Sequence, residues 1–220
     1  MSAKSTELQI RAVTGAGIVG LIVGAIAGGP WTYGLLLFIV GLLGVRELFV
    51  AWRLMPAFPR SSVMGVGAQF LLVLAFGSLW AMSWTSSGYE AWIPLGWFAL
   101  MWSNDTGAYL FGRSFGRHLL APSVSPGKTW EGWAGGALTA LLIGGILQYH
   151  LGAAGQGHWL VLATLVSVFG PLGDLLESLL KRKAGLKDSG HILPGHGGIL
   201  DRFDSHIIAA PIALFYLIFA

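Results

Sequence analysis

Residues 159–180 read WLVLATLVSVFGPLGDLLESLL, a run long enough and apolar enough to cross a membrane as one helix. A transmembrane helix needs about 20 mainly apolar residues to cross a hydrocarbon core of about 30 Å. Comparable runs recur along the whole chain. We therefore predict an all-α, polytopic integral membrane protein with about seven transmembrane helices. The predicted spans are 12–28, 32–52, 63–82, 91–112, 132–151, 159–180 and 203–220.

The composition of the 220-residue chain fits this class. Only 10% of its residues are charged and 55% are hydrophobic, whereas a soluble domain carries about 25% charged residues. A soluble nucleotide-binding fold, a disordered chain and a collagen-like repeat are therefore excluded. The chain has no cysteine, which excludes a disulfide framework, a thiolate nucleophile and a cysteine-ligated metal.

The basic residues are distributed unevenly between the two sides of the predicted membrane. If the N-terminus lies inside, all 13 Lys and Arg residues fall in inner segments. The positive-inside rule then predicts a cytoplasmic N-terminus, and the net charge of +3 reflects topology and not a nucleic-acid partner. The N-terminal residues resemble a signal peptide, since basic residues precede an apolar stretch, but we expect them to be retained as the first span.

Glycines at intervals of four residues predict close helix packing. Gly20, Gly24 and Gly28 place small residues on one face of the first span, and Gly132 and Gly136 repeat the spacing in the fifth. Such faces allow the backbones of two helices to approach closely. The partner is either another helix of the chain or a second copy, and we expect a homodimer.

The acidic residues of the predicted spans converge on one depth. Asp105 and Asp174 lie about 12 and 10 Å from the inner ends of their helices, at a rise of 1.5 Å per residue. Asp201 and Asp204 open the last span from the inner side. A carboxylate in hydrocarbon is costly, so such residues mark functional sites. Basic partners or divalent cations must balance them, and oxygen ligands suit Mg²⁺ or Mn²⁺. Structural ion pairing is the alternative.

The sixth predicted span carries a polar stripe at helical spacing, formed by Asp174, Glu177, Ser178 and Lys181. Glu177 precedes Lys181 by four residues, which favours an ion pair along the helix, so we leave Glu177 outside the site. Asp174 follows Pro171, which would free a backbone carbonyl inside the bundle. Asp174 is therefore the stronger candidate for a functional carboxylate.

The inner loops supply positive charge and a glycine-rich turn. Residues 194–198 read PGHGG, and glycines allow close backbone approach to a phosphate, with N–H groups free to donate before a helix begins. Acids for a metal and bases for phosphate at one membrane face indicate phosphoryl or nucleotidyl transfer. The basic residues are Arg113, Arg117, Lys128, Lys181, Arg182, Lys183, Lys187 and Arg202.

Two stretches carry a family resemblance. Residues 178–204, SLLKRKAGLKDSGHILPGHGGILDRFD, resemble the C-terminal signature of phosphatidate cytidylyltransferases, also called CDP-diacylglycerol synthases. The segments NDTGAY at 104–109 and SPGKTWEG at 125–132 resemble the bacterial members in particular. The resemblance covers about residues 100–205.

The resemblance implies an enzyme that joins CTP and phosphatidic acid to give CDP-diacylglycerol and pyrophosphate, requires Mg²⁺ and leaves room for a second cation. It implies a multi-pass protein of the bacterial inner (plasma) membrane, in contact with membrane lipids, whose site faces the cytoplasm. Residues 1–90 would then serve packing, dimerisation and lipid access, and residues 91–220 would form the catalytic region.

The same resemblance, combined with the positions of the charges, assigns the site residues. The catalytic group consists of Asp174, Asp201, Asp204 and Lys128, and the three aspartates are the metal ligands. The substrate-binding group is Asp105, Ser125, Ser178, Lys181, Arg182, Lys187, Asp188, His196, Gly197, Gly198 and Arg202.

Other functions stay open on the sequence alone. A CTP-using relative that acts on isoprenoid substrates, such as a polyprenol kinase or a CDP-archaeol synthase, would share the same groups. Intramembrane acids also occur in cation and proton transporters, although the basic loop between the acids would repel cations. An inactive paralogue that binds lipid as a scaffold is a further alternative, which the intact set of acids disfavours.

Overall fold

The structure is a computed structural model that describes residues 3–54, 62–152, 158–190, 192–193, 195 and 197–220. Within these ranges, seven long helices and one short helix account for most of the residues. The helices are α1 (Ala3–Ala27), α2 (Pro30–Arg53), α3 (Ser62–Ala81), α4 (Trp92–Phe115), α5 (Trp130–Leu151), α6 (Trp159–Lys183), the short α7 (Leu200–Phe203) and α8 (His206–Phe219).

These helices confirm an all-α, polytopic membrane protein. In the described part of the chain, five segments are long and apolar enough to cross a membrane: in α1, α2, α5, α6 and the α7–α8 pair. The apolar part of α3, Val66–Ala81, is shorter. Helix α4 carries Asn104 and Asp105 in its middle. The exact number of spans and their orientation stay predictions.

Two short antiparallel hairpins accompany the helices, and neither was predicted. The first pairs β1 (Trp84–Thr85) with β2 (Gly88–Tyr89) before α4. The second pairs β3 (Leu119–Ala121) with β4 (Ser125–Thr129) between α4 and α5. Strands of two to five residues are too short to produce a recognisable alternation of polar and apolar side chains, so the sequence carries no signal for them.

The hairpin β3–β4 is attached to the first turn of α5. Thr129 caps the helix, since its Oγ1 accepts the N–H of Gly132 at 3.1 Å. The carboxylate of Glu131 accepts the backbone N–H groups of Arg117 and His118 at 3.1 and 3.2 Å. The positions of β4 and α5 are therefore coupled, which fixes the segment that carries Lys128.

The order of contacts brings the two resemblance segments together. Helix α4 packs on α5, α5 on α6 and α6 on α8, while α3 packs on α2 and α8. The core is built from large apolar side chains such as Trp97, Phe98 and Trp159, all almost fully buried. Strand β4 itself contacts α5 and α6, which places Lys128 beside α6.

Helices α4 and α5 approach closely through glycines, as their spacing predicted. A Cβ on Gly132 would lie 2.8 Å from the carbonyl oxygen of Ala108, and one on Gly136 would lie 2.7 Å from that of Asn104. No side chain fits at either position without moving the facing backbone. In contrast, Gly145 of α5 has nothing within 4 Å of its Cβ position.

We expect Gly136→Ala to destabilise the protein by about 1–3 kcal/mol, the usual cost of overpacking a close contact. Gly145→Ala on the same helix is the matched control, and alanine there should be neutral or stabilising, because it favours the helix by up to about 1 kcal/mol. Thermal unfolding in detergent, followed by tryptophan fluorescence, compares the two variants. Equal melting temperatures would contradict the packing described above.

The glycine face of α1 has no partner of this kind within the described chain. Nothing lies within 4 Å of the Cβ positions of Gly20 and Gly24, whereas Gly28 lies against Thr32 of α2. The expectation of a homodimer stays a prediction, with Gly20 and Gly24 on a surface that a second copy could contact.

Candidate active site

A cavity of about 360 Å³ lies between α4, the β3–β4 hairpin, α5, α6 and the start of α8. Its lining combines charged groups with small and aromatic residues, which suits a ligand that has both a phosphate and a less polar part. The charged and polar lining residues include Asn104, Asp105, Arg113, Lys128, Asp174 and Ser205; Tyr109, Leu120 and Trp133 contribute apolar surface.

An ion pair between Lys128 and Asp174 lies at this cavity and joins the segment SPGKTWEG to α6, four residues before the C-terminal signature. The side chains are 25% and 31% exposed, although Nζ of Lys128 itself is buried beside the carboxylate. The hydroxyl of Ser178, one turn further along α6, donates to Oδ1 of Asp174 at 3.3 Å. Asp105 interacts electrostatically with both members of the pair. Lys128 thus pairs directly with Asp174 and also interacts with Asp105.

Asp204 lies close to this pair because α6 has a glycine, Gly173, where it packs against the turn between α7 and α8. A Cβ on Gly173 would clash with the carbonyl oxygen of Asp204, so only glycine allows this approach. The carboxylate of Asp204 lies within electrostatic range of Asp174 and Asp105. Its Oδ1 accepts the backbone N–H of Ser205 at 2.6 Å. Three carboxylates from α4, α6 and the α7–α8 turn therefore converge.

Pro171 has the effect on α6 that its position predicted. Proline has no N–H to donate to the carbonyl four residues earlier, which belongs to Ser167. The indole N–H of Trp133 donates to that carbonyl at 2.9 Å. Because Trp133 and Pro171 both line the cavity, this bond ties its α5 wall to its α6 wall.

A second cluster of charges lies around Lys181, which is only 12% exposed. Its Nζ lies 2.5 Å from Oε2 of Glu177 and 2.6 Å from Oδ1 of Asp201. The predicted pair between Glu177 and Lys181 is thus confirmed. Both carboxylates are buried, with 1% and 6% of their side chains exposed. Lys181 is therefore held between two acids.

Asp201 also fastens the signature loop, which we define as the described residues of 184–199 between α6 and α7. Its Oδ2 accepts the N–H of Ser189 at 3.0 Å and that of Gly198 at 2.7 Å. The sequence led us to expect that the amide of Gly198 is free to donate to a phosphate. In the structure this amide instead donates to Asp201. Gly197 has φ +83°, and a Cβ there would lie 2.7 Å from Oδ2 of Asp201.

Glu47 of α2 is a residue that the sequence analysis missed. Its side chain is 4% exposed and lies under the signature loop. The carboxylate accepts the N–H groups of Ile199 and Leu200 at 3.1 and 2.9 Å, and the hydroxyl of Ser189 at 3.0 Å. A carboxylate inside an apolar span was the available signal.

The other residues assigned to substrate binding lie at the edges of these clusters. Arg182 is exposed and donates to the backbone carbonyls of Val124 and Leu186 at 3.4 and 3.0 Å. Arg202 is exposed and interacts electrostatically with Asp105. Ser125, Lys187 and Asp188 stand outside the cavity lining: Ser125 is half-buried opposite Ala121, and the other two are exposed. His196 lies outside the described residues.

The ligand atoms that the site offers fit Mg²⁺, because they are carboxylate oxygens and Mg²⁺ prefers oxygen ligands. Among the described residues, no three His, Cys, Asp or Glu side chains converge tightly enough to hold an ion by themselves. This is compatible with Mg²⁺, which usually takes one or two carboxylates plus substrate phosphates and water. The assignment of metal to Asp174, Asp201 and Asp204 stays a prediction.

The fold and the site together define a class: a polytopic membrane protein with a cavity in which carboxylates and basic side chains from distant segments meet. Residues 49–220 match a family model described as the cytidylyltransferase family. The match covers most of the chain, and the chain therefore belongs to that family.

Curated bacterial proteins share sequence with about half of the chain. A phosphatidate cytidylyltransferase of Staphylococcus epidermidis is 51% identical over 122 residues, 55% of this chain and 47% of that protein. One of Bacillus subtilis is 52% identical over 119 residues, covering 54% and 44%. One of Staphylococcus aureus is 48% identical over 123 residues, covering 55% and 47%. The chain spans about half the length of these relatives.

Proposed function

We propose that the chain is a phosphatidate cytidylyltransferase, which joins CTP and phosphatidic acid to give CDP-diacylglycerol and pyrophosphate. A phosphate oxygen of phosphatidic acid forms a bond to the α-phosphorus of CTP. The bond from that phosphorus to the oxygen bridging the α- and β-phosphates breaks in line with the attack, and pyrophosphate leaves with that oxygen. The lipid phosphate is anionic at neutral pH, so the protein needs to supply alignment and charge neutralisation more than a strong base.

The observation that carries this proposal is the ion pair between Lys128 and Asp174 at the cavity. Lys128 belongs to the segment SPGKTWEG, and Asp174 precedes the C-terminal signature by four residues. The segments NDTGAY and SPGKTWEG therefore line one cavity together with Asp174 of α6 and with Ser205, which directly follows the C-terminal signature. The relatives that carry this name support the choice of substrates.

Several residues of the chain can hold the phosphates. Lys128 and Arg113 both line the cavity and can donate to phosphate oxygens. The guanidinium of Arg113 donates to the hydroxyl of Tyr109 at 3.2 Å, which directs it toward the same wall. Arg202 and Lys187 are exposed at the neighbouring loop, where they can attract a polyanion from solution.

We propose that Asp174 and Asp204 hold Mg²⁺ together with substrate oxygens, and that Asp201 is the third candidate ligand. Mg²⁺ there would neutralise charge on the triphosphate and on the leaving pyrophosphate. Because Lys128 is paired with Asp174, a phosphate that attracts Lys128 would release one carboxylate oxygen for the metal.

The same proposal includes the setting of the enzyme. The cavity would face the cytoplasm of a bacterial inner membrane, since the basic residues concentrate at its end of the helices. A soluble nucleotide and a two-tailed lipid could then meet without leaving their own phases. A homodimer through the glycine face of α1 belongs to the proposal as well.

The test uses the purified chain in detergent with phosphatidic acid, Mg²⁺ and CTP labelled at either the α- or the γ-phosphate. We expect the α-label in CDP-diacylglycerol, with one pyrophosphate released per lipid product. Transfer of the γ-label to the lipid would instead identify a kinase. Turnover with isoprenoid substrates in place of phosphatidic acid would identify a different acceptor. Absence of turnover with every lipid acceptor would overturn the proposal.

A further inference from the structure

Glu47 is the only acidic residue of α2, and it contacts a segment more than 140 positions later in the chain. Its burial requires compensation, since a carboxylate removed from water is costly unless it is paired or hydrogen-bonded. Three donors provide this compensation, and all of them belong to residues 189–200. Helix α2 therefore holds a loop that belongs to the catalytic half of the chain.

The middle and the C-terminal end of the signature loop meet at this carboxylate. Ser189 donates its hydroxyl to Glu47 and its backbone N–H to Asp201, so it is fixed by two acids from two helices. The amides of Ile199 and Leu200 are donors at the start of α7 that would otherwise have no partner inside the helix. Loss of Glu47 would leave these buried donors unsatisfied.

The contacts at Glu47 also explain why the signature has glycine at positions 190 and 198. A Cβ on Gly190 would clash with Oε1 of Glu47, and a Cβ on Gly198 would clash with both Ser189 and Glu47. Only glycines allow the loop to close over a carboxylate at this distance. The glycine at 198 is thus required for contact with Glu47, and its N–H is already donated to Asp201.

From these contacts we propose that Glu47 is a positioning residue, which holds the signature loop in the conformation that binds CTP. This inference rests on the proposed function, because it takes the loop as part of the nucleotide site. Glu47 does not line the cavity, so it acts through the loop and not by touching the substrate. The N-terminal helices then contribute to the site, a role beyond the packing and lipid access expected of residues 1–90.

The test compares Glu47→Gln with the matched control Glu90→Gln. Glutamine at 47 keeps one acceptor and places an NH₂ group where a second acceptor is needed. Glu90 lies before α4, accepts from Ser87 at 3.2 Å and is far along the chain from the Glu47 contacts. Hydrogen–deuterium exchange of peptides from residues 186–203 reports the loop directly, and the KM for CTP and the kcat report its role.

We expect the loop amides of Glu47→Gln to exchange at least about tenfold faster, as a lost buried acceptor implies, while peptides of α4 and α5 exchange as in the wild type. The KM for CTP should rise about tenfold or more, with a smaller change in kcat, and Glu90→Gln should change neither. Unchanged loop exchange would overturn the inference, and so would faster exchange with an unchanged KM.

Two further measurements distinguish a failure of this inference from misfolding of the variant and from a failure of the proposed function. If Glu47→Gln does not fold, Ser189→Ala removes one of the three bonds, and its loop exchange decides: faster exchange supports the inference, and no change overturns it. If the wild type has no activity, the proposed function fails, while the exchange measurement still determines whether Glu47 holds the loop.

Discussion

Replacing Asp174 by Asn is expected to lower CTP-dependent turnover by about 10²–10³-fold, the usual loss when one electrostatic stabiliser is removed from an active site. Asp174 lies at the cavity, pairs with Lys128 and lies within electrostatic range of Asp204. The amide would keep the shape of the side chain but would lose the charge that holds Lys128 and a cation. Initial rates of pyrophosphate release at saturating CTP measure the effect.

A double-mutant cycle separates this chemical role from structural ion pairing. If the pair only stabilises the fold, Lys128→Met combined with Asp174→Asn should recover much of the activity that each single change removes. If both residues act on the substrates, the activity of the double variant should be no higher than that of the less active single variant. Glu90→Gln is the control for loss of a carboxylate elsewhere, and it should retain wild-type turnover. Recovery in the double variant would contradict the catalytic assignment.

The helices could be predicted because hydropathy alone decides them. The predicted span 159–180 lies inside α6, and the span 32–52 lies inside α2. The last predicted span, 203–220, is instead divided by a turn at residues 204–205, since α7 ends at Phe203 and α8 begins at His206. At this turn the backbone of Asp204 and Ser205 packs against Gly173 of α6, a contact that no local pattern reveals.

The membership of the site could also be predicted in part. Asp105, Lys128 and Asp174 were chosen from different spans and loops, and all three line one cavity. Chemical type identified them, because acids inside apolar spans require compensation. Which base compensates which acid could not be predicted, since pairing depends on distances between helices. Lys181, for example, joins Glu177 and Asp201 and stands apart from the cavity.

Glu47 shows the limit of interpreting charges by their position in the sequence. The basic residues around it, Arg46 and Arg53, fit a purely topological role, and both are exposed. Glu47 is buried beside them, and its partners lie in residues 189–200. A rule that any acid within a span is functional would have selected Glu47. Its hydrogen-bond partners, in contrast, could be identified only from the folded structure.

Asp204→Asn and Asp201→Asn are expected to fail in different ways, although both residues belong to the signature. Asp204 is close to Asp174, and its Oδ1 accepts only from its neighbour Ser205. Its loss should raise the Mg²⁺ concentration for half-maximal activity by about 10–100-fold or more, since even residues that only orient metal ligands have effects of this size. The melting temperature should change little.

Asp201→Asn should instead lower the melting temperature and release the signature loop. Asparagine would turn an NH₂ group toward Lys181 or toward the amides of Ser189 and Gly198, all of which require an acceptor. Breaking a buried ion pair costs about 3–5 kcal/mol, and the value should fall at the lower end because Lys181 keeps Glu177.

Mg²⁺ titrations, melting curves and exchange of residues 186–203 on both variants distinguish the two roles. If Asp201→Asn leaves the melting temperature and loop exchange unchanged but shifts the Mg²⁺ requirement, Asp201 is a metal ligand and does not serve mainly to fasten the loop. If Asp204→Asn leaves the Mg²⁺ requirement unchanged, Asp204 does not hold the metal. The positions of Lys128 and Lys181 give the physical reason for the expected split. Lys128 lines the cavity and pairs with Asp174, which is 31% exposed, whereas Lys181 is held between two buried acids.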